Sequence, residues 1–539
     1  MNLSILLILG IVIGCLLAGK TLIHYFQLES YQFPGYFRTL RRNLLKSILP
    51  GFCMMILLII TMLLSVAASP TISWVHYVFD SIILILGGWL IGKAFSEKNA
   101  KKAFVLTPRV KRLYAVSLIV LTVILLLVSG RIDPNGGLKT TGERIAIGFV
   151  MIFPALLPIW IALCGLIAWP IEKGISELYF RDAQRILKER KELIRIGITG
   201  SWGKTSVKFI LGTILEEKYH TLVTPASFNT PMGVTKVIRS KLEPGHRVFV
   251  AEMGARHVGD IKEMCRLVHP EIGVLVSVGP QHLDTFKTLD RVIQTKYELI
   301  DALPDDGKAF FSDDGDICRK LFEKTSREKM ISGLDPDYDD VWAENIAYSP
   351  EGSTFILCTK DKQIPCRSQL LGELNIRNML LCASVALQLG LTQEQIARGI
   401  EKIRPIEHRL QLIPNPGGMS VIDDAFNSNI RGAKQAFQVL KAFPEKRIIV
   451  TPGMVELGEK EYEMNREFGY AMADCCDAAI LVGKKRSQSI LEGLRDGKFA
   501  ENNIYVVSSL DEATVLLKQI VRPGDTVLFE NDLPDNYSE

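Results

Sequence analysis

Apolar residues are distributed unevenly along the chain. Five runs in the first third are nearly free of charge and approach or exceed the ~20 residues that a bilayer-spanning helix requires. They are Leu3–Gly19, Ile48–Ala68, Trp74–Phe95, Leu113–Gly130 and Ile145–Ile171. Pro154 and Pro158 predict a kink in the last. Asp80 and His76 fall near the outer end of the third run, where snorkelling to the interface is expected. Between Lys20 and Ser47 the aromatics Tyr25, Phe26, Tyr31, Phe33, Tyr36 and Phe37 mix with basic residues. That mixture predicts an interfacial segment against the inner leaflet.

Basic residues between the runs set the orientation. Lys20, Arg38, Arg41, Arg42 and Lys46 follow the first run, and Lys93, Lys98, Lys101, Lys102, Arg109, Lys111 and Arg112 follow the third. The second connection has none, and in the fourth Arg131, Lys139 and Arg144 are diluted by Asp133 and Glu143. The N-terminus is therefore expected outside, and everything after Ile171 in the cytoplasm of a multi-pass inner-membrane protein. Val12-Ile13-Gly14-Cys15 resembles a lipoprotein cleavage site, but no basic residue precedes the run and Leu16-Leu17 continue it, so it is read as an uncleaved anchor.

From Leu193 the texture changes to short β-rich runs alternating with helical stretches. Strands are expected at Ile194–Ile198, Arg247–Glu252 and Ile272–Val278, and helices at Lys204–Glu216, His257–Leu267 and Leu289–Ala302. A second series begins near Met419, with strands at Val421-Ile422, Arg447–Val450, Ala478–Val482, Ile504–Val507 and Thr526–Phe529. Its helices are expected at Arg431–Ala442 and Glu461–Ala473. The turn-forming cluster Ile413–Gly418 marks the seam. The expected domains are a transmembrane domain over 1–171, a helical linker over 172–192, a nucleotide-binding α/β domain over 193–413 and a smaller Rossmann-like one over 414–539.

Segregation explains a mean hydropathy of +0.19. The 63 basic residues nearly cancel 59 acidic ones, which argues against a nucleic-acid partner. Ten cysteines without a Cys-x-x-Cys pair suggest reduced thiols in a cytoplasmic body.

Thr199-Gly200-Ser201-Trp202-Gly203-Lys204-Thr205-Ser206 lies between an expected strand and helix. Glycines let the backbone turn its N–H groups toward phosphate, and the helix N-terminus adds positive potential. Lys204 would neutralise the β/γ-phosphates and the Thr205 hydroxyl would ligate Mg²⁺. Ile198 stands where the common phosphate loop has its first glycine.

This loop resembles the ATP loop of the Mur ligases, the peptidoglycan amide-bond synthetases. In order, Phe228-Asn229-Thr230-Pro231-Met232-Gly233-Val234, Ala251-Glu252-Met253-Gly254-Ala255, Gly279-Pro280-Gln281-His282-Leu283-Asp284 and Lys296-Tyr297-Glu298 are similar to further family segments. So are Asn375-Ile376-Arg377-Asn378, His408-Arg409, Asp423-Asp424-Ala425-Phe426-Asn427-Ser428-Asn429 and Met454-Val455-Glu456-Leu457-Gly458. The last two resemble the D-Ala-D-Ala-adding branch. The fold implied is a multi-pass α-helical membrane domain, then a Mur ligase central α/β domain and a smaller Rossmann-like C-terminal domain.

The resemblance implies that ATP activates a carboxylate as an acyl phosphate, from which an amine displaces phosphate. ATP would be held by Gly200, Ser201, Gly203, Lys204, Thr205 and Ser206, with Asn375 and Asn378 at the adenine, Arg409 at the γ-phosphate, and Asp424 at the ribose or orienting the interdomain arm. Two Mg²⁺ ions would be held by Thr205, Glu252, His282 and Lys296, the last carbamylated. Lys204, His282, Lys296 and Arg409 are the implied catalytic residues, and Asn229, Thr230, Asn427, Asn429 and Glu456 the implied substrate residues.

Departures from the family bear on substrate. Leu374 replaces the histidine before the asparagine pair, Thr451-Pro452-Gly453 stands where glycine-aspartate is usual, and the family's UDP-sugar domain is replaced by apolar spans. The carboxylate is therefore expected to be small or lipid-linked, the amine an amino compound or dipeptide, and membrane lipids partners. Alternatives are a ligase decorating a lipid-linked glycopolymer and, in another class, an ATP-driven transporter or flippase.

Overall fold

The computed structural model describes residues 5–68, 74–96, 103–130, 140–225, 228–349, 352–405, 408, 410–414, 418–425, 430–455 and 457–531. The chain forms two compact units, Met1–Glu177 and Leu178–Glu539.

The first unit is helical: α1 (Ile5–Ala18), α2 (Lys20–Leu28), α3 (Phe33–Arg42), α4 (Leu44–Ala68), α5 (Trp74–Ala94), α6 (Pro108–Ser129), α7 (Thr141–Ile152) and α8 (Leu157–Glu189), which continues into the second unit. Among the described residues four helices are long and apolar enough to cross a membrane, or five if α1 and α2, bent by 49°, form one span. The expected first span corresponds to α1, which passes the test of length and composition only together with α2.

Part of the segment expected at the interface packs inside the unit. Tyr25 and Phe26 of α2 and Tyr36 of α3 are buried in the unit's core, with the Phe26 and Tyr36 rings 4.9 Å apart. Asp80 does not snorkel either: both its oxygens accept from Ser65 Oγ at 2.8 Å inside the bundle. The kink falls at a 3₁₀ turn, Phe153–Leu156, that carries Pro154. Gly14 and Gly88 let α1 and α5 touch, because a Cβ at Gly88 would stand 2.2 Å from the Gly14 carbonyl oxygen.

In the second unit a nine-stranded sheet runs β2-β3-β1-β4-β5-β6-β7-β8-β9. Its strands are β1 (Ile194–Thr199), β2 (Thr221–Val223), β3 (Val248–Glu252), β4 (Ile272–Leu275), β5 (Lys308–Ser312), β6 (Glu328–Gly333), β7 (Val341–Ser349), β8 (Gly352–Thr359) and β9 (Gln363–Ser368). Pairing is parallel up to β7 and antiparallel beyond it.

Helices cover both faces, as a parallel sheet demands. They are α9 (Lys204–Leu215), α10 (Pro231–Lys241), α11 (Asp260–Val268), α12 (Leu283–Phe286), α13 (Leu289–Asp301), α14 (Ile317–Lys324), α15 (Glu373–Gln388) and α16 (Gln393–Glu401). Ile196 and Ile198 of β1 pack with α9 and α15. On the opposite face α10, α11 and α13 bury a second cluster. Helix α11 starts three residues later than expected, because the Asp260 carboxylate accepts from the backbone of Arg256 and His257, both at 2.8 Å. Strand β4 ends at Leu275, short of the expected Val278.

A six-stranded sheet follows, in the order β10-β11-β15-β12-β13-β14. Its strands are β10 (Gln411–Pro414), β11 (Ser420–Asp424), β12 (Arg447–Thr451), β13 (Ala478–Val482), β14 (Ile504–Val507) and β15 (Thr526–Glu530), with helices α17 (Ile430–Lys441), α18 (Glu461–Met472), α19 (Gln488–Asp496) and α20 (Leu510–Ile520). The cluster expected at the seam links β10 to β11, which pair antiparallel within this sheet. The chain thus enters the second sheet before that cluster.

Candidate active site

The ends of β1, β3 and β4 meet at one edge of the nine-stranded sheet, where open parallel sheets bind ligands. After β1 the chain turns through Gly203, whose φ of 80° lies in the left-handed region that favours glycine, and opens α9 at Lys204. Lys204 Nζ donates to the carbonyl oxygens of Gly200 at 2.8 Å and Ser201 at 3.1 Å. Ser206 lies buried in the first turn of α9.

The loop is latched to the segment after β4. The Ser201 hydroxyl donates to Gly279 O at 2.9 Å and accepts from Gly279 N at 3.0 Å. The Ser277 hydroxyl accepts from Trp202 N at 3.2 Å and donates to Trp202 O at 2.9 Å. His282 lies just beyond, with a left-handed φ of 51°, a backbone strain that functional segments often carry.

Glu252 ends β3 and is 1% exposed. Thr205 Oγ1 donates to its two carboxylate oxygens at 3.1 and 3.0 Å, Asn229 Nδ2 to Oε1 at 3.1 Å, and Lys208 Nζ to Oε2 at 3.0 Å. Burial raises the carboxyl pKa, but the charges of Lys208 and Lys204 and the bonds from Lys208 and Asn229 outweigh it, and the net shift is downward. The group is ionised at neutral pH. An anionic oxygen beside a threonine hydroxyl suits a hard divalent cation.

Lys296, on α13, is 1% exposed. Burial and the Lys204 charge lower its pKa well below the usual lysine range against the opposing pull of Asp260 and Glu298. Among the described residues no three His, Cys, Asp or Glu side chains converge in a metal-holding group. Of the expected metal residues, the hydrogen bonds join Thr205 and Glu252 to each other.

The two asparagines of α15 differ in their contacts. Asn375 Nδ2 donates to Leu371 O at 2.8 Å. Asn378 is 2% exposed, and among the described residues its Nδ2 has no hydrogen-bond partner. A Cβ at Gly203 would stand 3.3 Å from Asn378 Oδ1. A buried amide left over beside the phosphate loop fits a nucleotide. Thr230 Oγ1 accepts from Gly233 N at 3.3 Å and so caps α10. Asp424 Oδ1 accepts from Leu410 N at 3.0 Å, tying Leu410 to β11. Arg409, Asn427, Asn429 and Glu456 lie outside the described residues.

Sequence reasoning missed Lys208 and Ser277. Lys208 carried a signal: a cation four residues after Lys204, among apolar positions of the same helix.

The chain matches the Mur ligase middle domain over residues 198–386 and the Mur ligase, glutamate ligase domain over residues 408–530. It is 32% identical over 357 residues to the UDP-N-acetylmuramoyl-tripeptide–D-alanyl-D-alanine ligase of Mycobacterium bovis, covering 62% of this chain and 69% of that one. It resembles the solved structure of MurF from Acinetobacter baumannii, at 26% identity and a TM-score of 0.61, over 67% of this chain and 78% of the other. MurF ligase from Thermotoga maritima in complex with ADP aligns at 25% identity and a TM-score of 0.59, over 66% of this chain and 80% of that one.

Proposed function

The chain belongs to the Mur ligase family and is an ATP-dependent ligase that forms C–N bonds; from that premise, we propose that it is anchored in a bacterial membrane and joins a cell-wall precursor carboxylate to an amine through an acyl phosphate. The observation that carries this reading is the ionised Glu252 carboxylate facing Thr205 Oγ1 at the mouth of the phosphate loop.

Mur ligases use ATP and Mg²⁺. In the proposed site Glu252 and Thr205 hold Mg²⁺, with His282 and a carbamylated Lys296 completing a two-ion set. The metal supplies charge neutralisation for the transferring phosphoryl group. Lys204 and the backbone N–H groups opening α9 bind the phosphates. Asn378 offers its amide to the base, and Arg409 closes on the γ-phosphate. Asp424 orients the segment bearing Arg409. Asn229, Thr230, Asn427, Asn429 and Glu456 contact the two joined substrates.

We assign the carboxylate to a lipid-linked precursor. Supporting this, the residues before the matched domains are the helices α1–α8, with basic connections between their spans.

The test is phosphate release by the full chain in lipid nanodiscs, with mass spectrometry of lipid-linked precursors from cells carrying wild type or Lys204→Ala. A ligase requires carboxylate and amine together, and an amide-bearing lipid species disappears in the variant. Turnover driven by lipid alone identifies a transporter instead.

A further inference from the structure

The buried ion pair behind the phosphate loop has a function that none of the expected roles covers. Lys208 lies one helical turn after Lys204 and therefore on the same side of α9. It is completely buried, on a helix whose Val207, Ile210 and Leu211 belong to the core cluster. An ammonium in such surroundings costs several kcal/mol to desolvate, and paired charges in a core rarely stabilise more than well-packed apolar residues do. Fold stability alone thus gives little reason for a lysine at this position.

Its contact is specific. Lys208 Nζ donates to Glu252 Oε2 at 3.0 Å. Of the three side chains described as donating to that carboxylate, Thr205 and Asn229 are neutral and Lys208 carries charge. Thr224 adds a hold on the main chain, its Oγ1 accepting from Glu252 N at 3.2 Å. The two lysines divide the work. Lys204 is bonded to the loop carbonyls where phosphate is expected, whereas Lys208 reaches the carboxylate from the helix side.

We propose that Lys208 is a positioning residue for this ligase: acting through Glu252, it holds the carboxylate turned toward Thr205 Oγ1, so that the divalent cation meets a preformed oxygen ligand. The proposal rests on the reading of Glu252 as a metal ligand. Partners that orient a metal ligand typically govern about 10–100-fold in metal affinity.

The test uses the full chain in nanodiscs with Mn²⁺ as the probe. Mn²⁺ binding is followed by electron paramagnetic resonance in the presence of a non-hydrolysable ATP analogue. Binding of the analogue without metal and the thermal midpoint are measured beside it. Lys208→Met removes the charge at nearly constant length. Lys208→Gln, which keeps a neutral donor, provides a second variant should the methionine fail to fold. The expected result is a loss of about tenfold or more in Mn²⁺ affinity, with metal-free analogue binding unchanged. A folded Lys208 variant with a lowered midpoint but wild-type Mn²⁺ affinity overturns the proposal, because the lysine is then structural. Glu252→Gln separates this from its premise. If that variant binds Mn²⁺ as wild type does, the metal reading of Glu252 fails. If it loses Mn²⁺ while both Lys208 variants keep it, only the role of Lys208 fails.

Discussion

Gly279 lies so close beneath the indole of Trp202 that a Cβ at position 279 would stand 2.1 Å from Trp202 Cη2. The contact joins the phosphate loop to the segment leading to His282, alongside the Ser201 and Ser277 hydrogen bonds. Gly279→Ala forces the indole or the loop to move. Overpacking of this kind costs about 1–3 kcal/mol, which, if it falls on the nucleotide-bound loop, is a loss of about 5-fold to about 150-fold in nucleotide affinity. Calorimetry with ADP checks it. Adding Trp202→Ala should restore most of the loss; a double variant as weak as Gly279→Ala would mean that the indole is not the obstacle.

How far the sequence disclosed this site depends on the kind of signal. The β1–loop–α9 unit was legible because Ile194–Ile198 alternates with glycine punctuation and a lysine opens the helix. Glu252 was legible through its segment. Lys208 was passed over, since a helical lysine is ordinarily solvated, and its place among apolar positions of α9 was the one signal that pointed to burial. Strands β7–β9 escaped for another reason: Glu344 and Asn345 interrupt one, and Pro365 lies in the edge strand, where proline is tolerated. The end of the first run at Gly19 was legible, but the helix α2 that follows it at 49° was not, because Lys20 and the aromatics after it read as an interfacial segment.

Lys296 should be carbamylated more readily than a solvated lysine. Burial and the Lys204 charge lower its pKa well below the usual lysine range, which favours the neutral, nucleophilic amine. Incubation in bicarbonate should yield chain carrying the added mass of one CO₂. Native mass spectrometry reads this, and Lys296→Met should abolish it. The same variant should lower kcat about hundredfold. Full activity in Lys296→Met would exclude a catalytic role.

Asp339 sets a pH dependence on stability. It is 2% exposed, and burial raises its carboxyl to about 7, the Asp335 N–H bond pulling the other way and Asp313 adding repulsion. The folded state therefore prefers the neutral acid. Its contribution is present below the unfolded value near 3.8 and is lost as pH rises through about 7. Asp339→Asn, which imitates the neutral acid, should raise the melting temperature at about pH 8 and leave it nearly unchanged at about pH 4. Scanning fluorimetry across that range would show a constant difference if Asp339 were not the titrating group.

Orientation in the membrane can be tested at two exposed positions. Under the proposed topology, Gln32 is expected in the cytoplasm and Gly142 outside. Gly142 is exposed, and the nearest atom to a Cβ there, Thr140 Oγ1, is 3.9 Å away, so a cysteine fits. Gln32 precedes α3 without a side-chain capping bond. Nine of the ten native cysteines are buried, and Cys53 is partly exposed. On a Cys53→Ser background, an impermeant maleimide should label Gly142→Cys in intact cells and Gln32→Cys after permeabilisation. The reverse pattern would put the residues after α8 on the outer side, away from cytoplasmic ATP. Such a result is incompatible with a ligase that depends on Lys204 and the phosphate loop, and it would sink the proposed topology.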